Sequence, residues 1–248
     1  MIFTIARREL RGLFLSPLAW VILGVVEFIL GWLFLARLDL YLGLQSQLVE
    51  AGSSIGVTEA VGGALFGNAA VVLLLVVPLI TMRLVSEERR NRTLTLLFSA
   101  PVSMSEIVLG KYLGILAFLG VVVVLTAAMP LSLFAGTHLD YGMLGSGVLG
   151  LVLLLAAFAA VGLFMSTLTQ YPTIAAVGTF GVLLLSWVLD WSGGGASSSV
   201  LGYLSLLNHY QPFLRGMFDS SDAAFNILFA LTFIVLSIRR LDADRLGG

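Results

Sequence analysis

Six stretches of this chain are almost wholly apolar: 17–36, 64–82, 107–134, 143–168, 172–190 and 222–238. Each reaches the roughly 17–25 residues that a helix needs to cross a hydrocarbon core about 30 Å thick. Only helices and closed barrels satisfy their backbone hydrogen bonds in lipid, and these runs are too long and too continuous for alternating strands. The pattern predicts an all-α integral membrane protein with six transmembrane helices in one domain over 1–248.

The intervening stretches have characters of their own. In residues 1–16, Phe3, Ala6, Leu10 and Leu13 recur at helical spacing while Arg7, Arg8 and Arg11 fall on other faces. This predicts an N-terminal interfacial helix, its apolar side in lipid and its cations among the headgroups, with Ser16-Pro17 turning the chain into the bilayer. Leu40, Leu44 and Leu48 suit a short helix inside the connection 37–63, which Gly52-Ser53-Ser54 breaks. The loops at 135–142 and 169–172 are short. The connection 191–221 begins with a Gly/Ser-rich run and ends with the aromatic Asn208–Phe213 stretch. Its last part is a candidate re-entrant outer hairpin before the sixth span, because irregular backbone at membrane depth must be buried in protein.

Composition agrees with the pattern. Of 248 residues 59% are apolar and only 11% charged, and the mean hydropathy is +1.05; a soluble domain carries roughly 25% charged residues. A net charge of −1 gives no reason to expect nucleic acid as a partner. The absence of cysteine excludes disulfides and thiolate metal sites. The N-terminal apolar run lacks a cleavage site, so the first span is expected to be retained. Charge distribution is more informative than its sum. With the N-terminus inside, eleven of the 13 cations fall in inside segments, and only Arg37 and Arg215 lie outside. By the positive-inside rule this predicts both termini in the cytoplasm.

The densest charge cluster is Ser86-Glu87-Glu88-Arg89-Arg90-Asn91-Arg92-Thr93, between the second and third spans. Asn91 to Ala100 suits a short helix that Pro101 stops. Ser103-Met104-Ser105-Glu106 fits a capping box, starting the third helix near Met104. Periodicity leaves two readings open for 86–101: a cytoplasmic helix gripped by a soluble partner, or a solvated turn whose arginines enforce topology.

The run Glu87–Leu97, then Ala100-Pro101-Val102, then Ile107-Val108-Leu109-Gly110-Lys111, resembles the signature of ABC-2 type transporter permeases. Arg8-Glu9-Leu10 with Ser16-Pro17, and His209 with Phe213, Arg215-Gly216 and Asp219, resemble its gliding-motility (GldF-like) branch. Two positions depart from the pattern: Arg92 stands where glycine is usual, and Thr95 where an acid is common. The resemblance implies a coupling helix or loop over 86–101, docked to a separate ABC ATPase through Glu87, Glu88, Arg89, Arg92, Thr93, Leu96 and Leu97. It implies a second permease copy or sister permease, an accessory membrane protein with an external domain, and a bacterial inner-membrane location. ATP and Mg would belong to the partner ATPase, with no cofactor bound by this chain. Gly110-Lys111-Tyr112 lacks the upstream glycine and the hydroxyl residue of a phosphate loop, so this chain is not expected to be an enzyme by itself.

Single residues extend the picture. Glu27 lies within the first apolar run, where a carboxylate costs roughly 2.5–3.5 kcal/mol; it reads as a translocation-path acid or as a structural hydrogen bond to another helix. Lys111 reads as a snorkelling cation or, from the resemblance, as a packing or coupling residue. His138 and His209 lack further ligands at metal spacing. Arg215 and Asp219, four apart, suit a pair across one helical turn. The functional expectation is the membrane subunit of an ATP-driven exporter. The rivals are a non-transporting scaffold that transmits force from an anchored ATPase, and a passive channel.

Overall fold

The computed structural model describes residues 1–50, 56–93, 102–135, 139–192 and 205–246. Among these there is no strand. The helices in chain order are α1 (Ile2–Leu15), α2 (Pro17–Glu50), α3 (Ala64–Thr81), α4 (Ser86–Arg90), α5 (Met104–Leu131), α6 (Tyr141–Leu168), α7 (Pro172–Ser192), α8 (Gln211–Leu214) and α9 (Ser220–Leu246). Six segments are long and apolar enough to cross a membrane: Pro17–Leu44, Thr58–Arg90, Met104–Leu131, Tyr141–Leu168, Pro172–Leu189 and Ser220–Arg245.

Local chemistry sets several of the ends. Ser103 accepts a hydrogen bond from the Glu106 backbone N–H while the Glu106 carboxylate accepts from that of Ser103, so the expected capping box opens α5 at Met104. Asp140 caps α6 through the Met143 N–H and gives its own N–H to Thr58 Oγ1 at 3.1 Å. Ser16 is extended, ending α1, and Pro17 opens α2, where a missing N–H costs nothing. A π-helical turn, Thr58–Gly63, leads into α3. α2 runs as helix to Glu50, well past residue 36 where its apolar run ends. A helix needs no apolar face once its hydrogen bonds have propagated, so the end of hydrophobicity did not mark its end.

α6 is the central helix. It packs against α3, α5, α7, α8 and α9, and 61% of its most apolar window is buried, against 22% for the first span and 17% for the fifth. Lipid provides no hydrophobic drive between helices, so contact depends on close approach at small residues. Gly147 sits under Phe66, Gly150 under Phe213, and Gly162 under Thr81; a Cβ built at any of them would lie within 3.0 Å of its neighbour.

α1 packs along α5 rather than standing apart. Its N-terminal ammonium is 3.8 Å from Glu106, and its Phe14 ring meets Phe118 three turns further along α5. Gly110 and Gly114 make this possible. A Cβ on Gly110 would stand 2.6 Å from Ile5 Cβ, and one on Gly114 2.7 Å from Glu9 Cβ. The half-buried side of α1 is Ile2, Ile5, Ala6, Glu9, Leu10, Leu13 and Phe14, while Phe3 is 84% exposed. The apolar face expected to lie in lipid is thus turned: Ala6, Leu10 and Leu13 go inward and Phe3 does not. A matching glycine groove on α5 outweighs the slightly different stripe that is most apolar by sequence.

The two glycines test this packing. Gly110→Ala and Gly114→Ala should each lower stability by about 1–3 kcal/mol through overpacking. Gly120→Ala, in the same helix with nothing within 4 Å of its built Cβ, should leave it unchanged or slightly raised. Thermal unfolding in detergent reads the difference.

Candidate functional site

The charged stretch after α3 is drawn into the bundle. Ser166 Oγ on α6 accepts hydrogen bonds from the backbone N–H groups of Val85 and Ser86, at 2.9 and 3.0 Å, and donates to the Met82 carbonyl at 3.1 Å. Ser86 Oγ donates to the same carbonyl. One α6 side chain thereby satisfies two N–H groups at the start of α4, the donors a helix N-terminus leaves open.

Glu88 and Arg89 then point inward in different directions. Lys111 is only 3% exposed, two turns into α5. Its Nζ donates to Glu9 of α1 and, at 2.8 Å, to Glu88 of α4. Arg89 donates to the Thr167 carbonyl on α6 at 2.9 Å and pairs with Asp244 of α9. A five-residue helix is thus tied to four others, α1, α5, α6 and α9. These ties place both ends of the described chain and α4 at one end of the bundle. Polar atoms remain unpartnered in this tie: Glu88 Oε2 and Arg89 Nε are buried without a hydrogen bond.

α4 stops in a left-handed turn. The Thr93 N–H donates to the Glu88 carbonyl at 3.0 Å and the Arg92 N–H to the Arg89 carbonyl at 3.2 Å. These are the two bonds of a Schellman C-cap, whose pivot is most often glycine. Here the pivot is Arg92, with φ +55°, and it is the described non-glycine residue with positive φ. The departure from the permease pattern noted above therefore falls where backbone sterics favour glycine. Asn91–Thr93 are consequently not helical, so the helix expected over Asn91–Ala100 does not start at Asn91; a separate helix precedes it at Ser86–Arg90. Thr95, Leu96, Leu97 and the rest of 94–101 lie outside the described residues.

The inner tie also sorts the expected docking residues. Glu88 and Arg89 are engaged within the chain. Glu87 is half-buried, beside Arg83 in a cleft of about 180 Å³ between α1, α2 and α3. Arg90, Asn91, Arg92 and Thr93 are exposed. Lys111 does not snorkel: two carboxylates satisfy its ammonium where it stands. Ser166, Thr167 and Asp244 were not singled out by sequence, and Glu9 was noted only within the Arg8-Glu9-Leu10 resemblance, not as a partner of Lys111. Glu9 had a signal, as the lone acid of α1 on the same face as Ile2, Ile5 and Leu13. Asp244 had none.

Glu27 lies elsewhere. It lines a cleft of about 440 Å³ with Phe28, Gly31, Trp32 and Met129. Its Oε1 is 3.5 Å from Thr126 Oγ1 on α5, and its Oε2 is buried without a partner. The Thr126 hydroxyl has a better acceptor in the Val122 carbonyl at 2.9 Å.

At the opposite end of the bundle the aromatic stretch is packed inward. His209 Nδ1 is 2.6 Å from Asp222 Oδ1 of α9, and its ring stacks on Phe225 with centroids 3.9 Å apart. Tyr210 donates its hydroxyl to the Phe66 carbonyl at 3.1 Å. Phe213, fully buried, fills the groove at Gly150. Gly216, with φ +78°, ends α8 against Met143. That left-handed residue separates Arg215 from Asp219, so the two do not share a helical turn and are not an ion pair among the described residues. Asp219 instead accepts from the Ser221 N–H at 2.9 Å at the start of α9. The Ser221 backbone bond, then its hydroxyl, hold the Asp219 carboxyl below its ordinary range.

The fold and the charged end define a class: a multi-pass helical membrane protein, with a short polar helix lashed beneath its spans. The chain belongs to a family shown by sequence comparison, for the family model described as ABC-2 family transporter protein matches residues 3–238. It is therefore a membrane-spanning permease subunit of an ABC transporter. Subunits of this kind are transmembrane components, not nucleotide-binding enzymes, and the family implies ABC ATPase partners. A comparison with curated proteins finds no match.

Two variants test the tie and a third the turn that ends α4. Lys111→Met should cost roughly 2–4 kcal/mol, because it leaves two neighbouring, partly buried carboxylates without the cation between them. Adding Glu9→Leu and Glu88→Leu should recover most of that loss, as replacement of whole buried ion clusters often does. Arg92→Gly should stabilise by about 1 kcal/mol by relieving a left-handed non-glycine residue. Chemical or thermal unfolding of the purified protein measures all three.

Proposed function

We propose that this permease works in an ATP-driven exporter of the bacterial inner membrane, with both termini in the cytoplasm, and that α4 with the stretch to residue 101 is the lever on which the ATPase acts. ATP and Mg are held by that ATPase. The carrying observation is the double tie of α4, to α1 and α5 through Lys111 and to α6 and α9 through Arg89. A push on so short a helix moves four others, because its ion pairs are too costly to break singly. The surface offered to the ATPase is Arg90–Thr93, with Glu87, Leu96 and Leu97 as further contacts. Glu88 and Arg89 act from behind it as positioning residues.

The rest of the reading follows from burial. α2 and α7 expose large apolar side chains, among them Trp20, Phe28, Trp32, Ile174 and Val177, and a second permease copy or sister permease covers part of this surface. Glu27 favours that arrangement. A carboxylate on a lipid-facing helix is costly, while one lining a path between two subunits has water or cargo to meet. α1 lies at the membrane interface, with Phe3 and Leu15 toward lipid. The hairpin of His209, Phe213, Arg215 and Asp219 is re-entrant and closes the path from outside. In support, Phe213 packs on Gly150, nine residues from the start of α6, about 13 Å down that helix. The likeness to the gliding-motility branch adds an accessory membrane protein with an external domain.

Pull-down from gentle detergent tests the docking face. Arg90→Glu with Arg92→Glu should abolish recovery of the ATPase while membrane insertion is unchanged; undiminished recovery removes this face from the contact. In vesicles containing the complex, Glu27→Ala should lower cargo-stimulated ATP hydrolysis at least several-fold without changing assembly. Normal assembly with no cargo stimulation in the unmodified complex would favour the force-transmitting scaffold over the exporter.

A further inference from the structure

The outward side of α1 has a use that docking and transport leave open. At 100° per residue, Thr4, Arg7, Arg8, Arg11 and Leu15 fall within an arc of about 100° on one side of the helix. They line a groove of about 620 Å³. The three arginines are exposed, and none has an ion-pair partner among the described residues. Two acids also border the groove, Glu9 and Glu88. Both pair with the buried Lys111, whose single charge offsets one of their two, so the three arginines leave the groove with a net positive charge. Three guanidinium forks along one groove are an anion site, and phosphate oxygens match their paired N–H donors.

The groove also has an apolar border. Leu15 is 84% exposed at its end, next to Ser16 and to Pro17, where the first span begins. Phe3, equally exposed, flanks the arginines at the other end of α1. Cations over a groove with bare apolar side chains at both ends, at the mouth of a membrane span, fit a ligand with a phosphate head and a greasy tail. We infer that this groove holds the headgroup of an anionic phospholipid. The bound headgroup lies against the Lys111 tie, so its presence secures α1 on α5 and α4. This inference rests on membrane residence and not on export or ATPase docking.

The test uses the full chain purified in mild detergent, with phosphatidylglycerol, phosphatidylcholine and inorganic phosphate as probes. Native mass spectrometry should show phosphatidylglycerol retained in preference to phosphatidylcholine, and the thermal midpoint should rise only with the former. The combined variant Arg7→Gln/Arg8→Gln/Arg11→Gln should weaken phosphatidylglycerol binding on the order of 100-fold. Removing three cations elsewhere, with Arg37→Gln/Arg215→Gln/Arg239→Gln, should leave it intact. The combined Arg→Lys variant, which keeps the charge and guards against a folding defect, should retain the preference. Equal retention of both lipids, or undiminished binding by the folded Gln variant, overturns the inference. So does displacement of the lipid by millimolar inorganic phosphate, which would make this a free-anion site.

Discussion

A single ammonium group in an apolar helix sets the order of the charged end. Lys111 sits where neither lipid nor protein hydrocarbon tolerates a bare charge, so it must have carboxylates, and they must come to it. One arrives from the first helix of the chain and one from α4. The energetic logic is asymmetric. Such a cluster gains little over a well-packed apolar substitute, yet losing any one member leaves the others stranded. It therefore contributes more to specifying which elements meet than to overall stability. A segment of five helical residues is unstable alone, and this cluster fixes its position together with Ser166 and the Arg89 ties.

The second constraint is the lack of a hydrophobic drive within a bilayer. Helices associate there by fit and by hydrogen bonds. Gly110 and Gly114 of α5 and Gly147, Gly150 and Gly162 of α6 supply the fit, each lying under a close neighbouring residue. Ser166 supplies hydrogen bonds across the same interface. Close approach and charge pairing reinforce one another at Gly114, where the absence of a Cβ lets Glu9 lie near enough to reach Lys111. The apolar contact and the ion pair are in this sense one feature.

The two ends of the bundle are built from different materials. The end carrying α4 is joined by ions and exposes arginines. The opposite end is closed by aromatic packing, with Tyr210 and Phe213 buried between α3 and α6 and His209 stacked on α9. At the first end, removing one member of the ion cluster strands its partners. A dense aromatic plug cannot shift without moving what surrounds it.

The chain's own pattern determined the six spans, the helical class and the capping box at Ser103, because apolar length and local hydrogen-bond chemistry act within a few residues. The resemblance carried by Glu87–Lys111 was enough to point to the permease family. Which face of α1 turns inward was beyond it, since that depends on the glycine groove of α5 more than a hundred residues away. The same holds for the division of the charged stretch. Glu87, Glu88, Arg89 and Arg92 look alike in sequence as docking residues, yet Glu88 and Arg89 turn inward because Lys111 and Asp244 wait there. Arg215 and Asp219 had helical spacing but no helix, because Gly216 turns the chain between them. Only the tertiary structure decides such questions: a charge is settled by what lies within 4 Å of it, and those neighbours are distant in sequence.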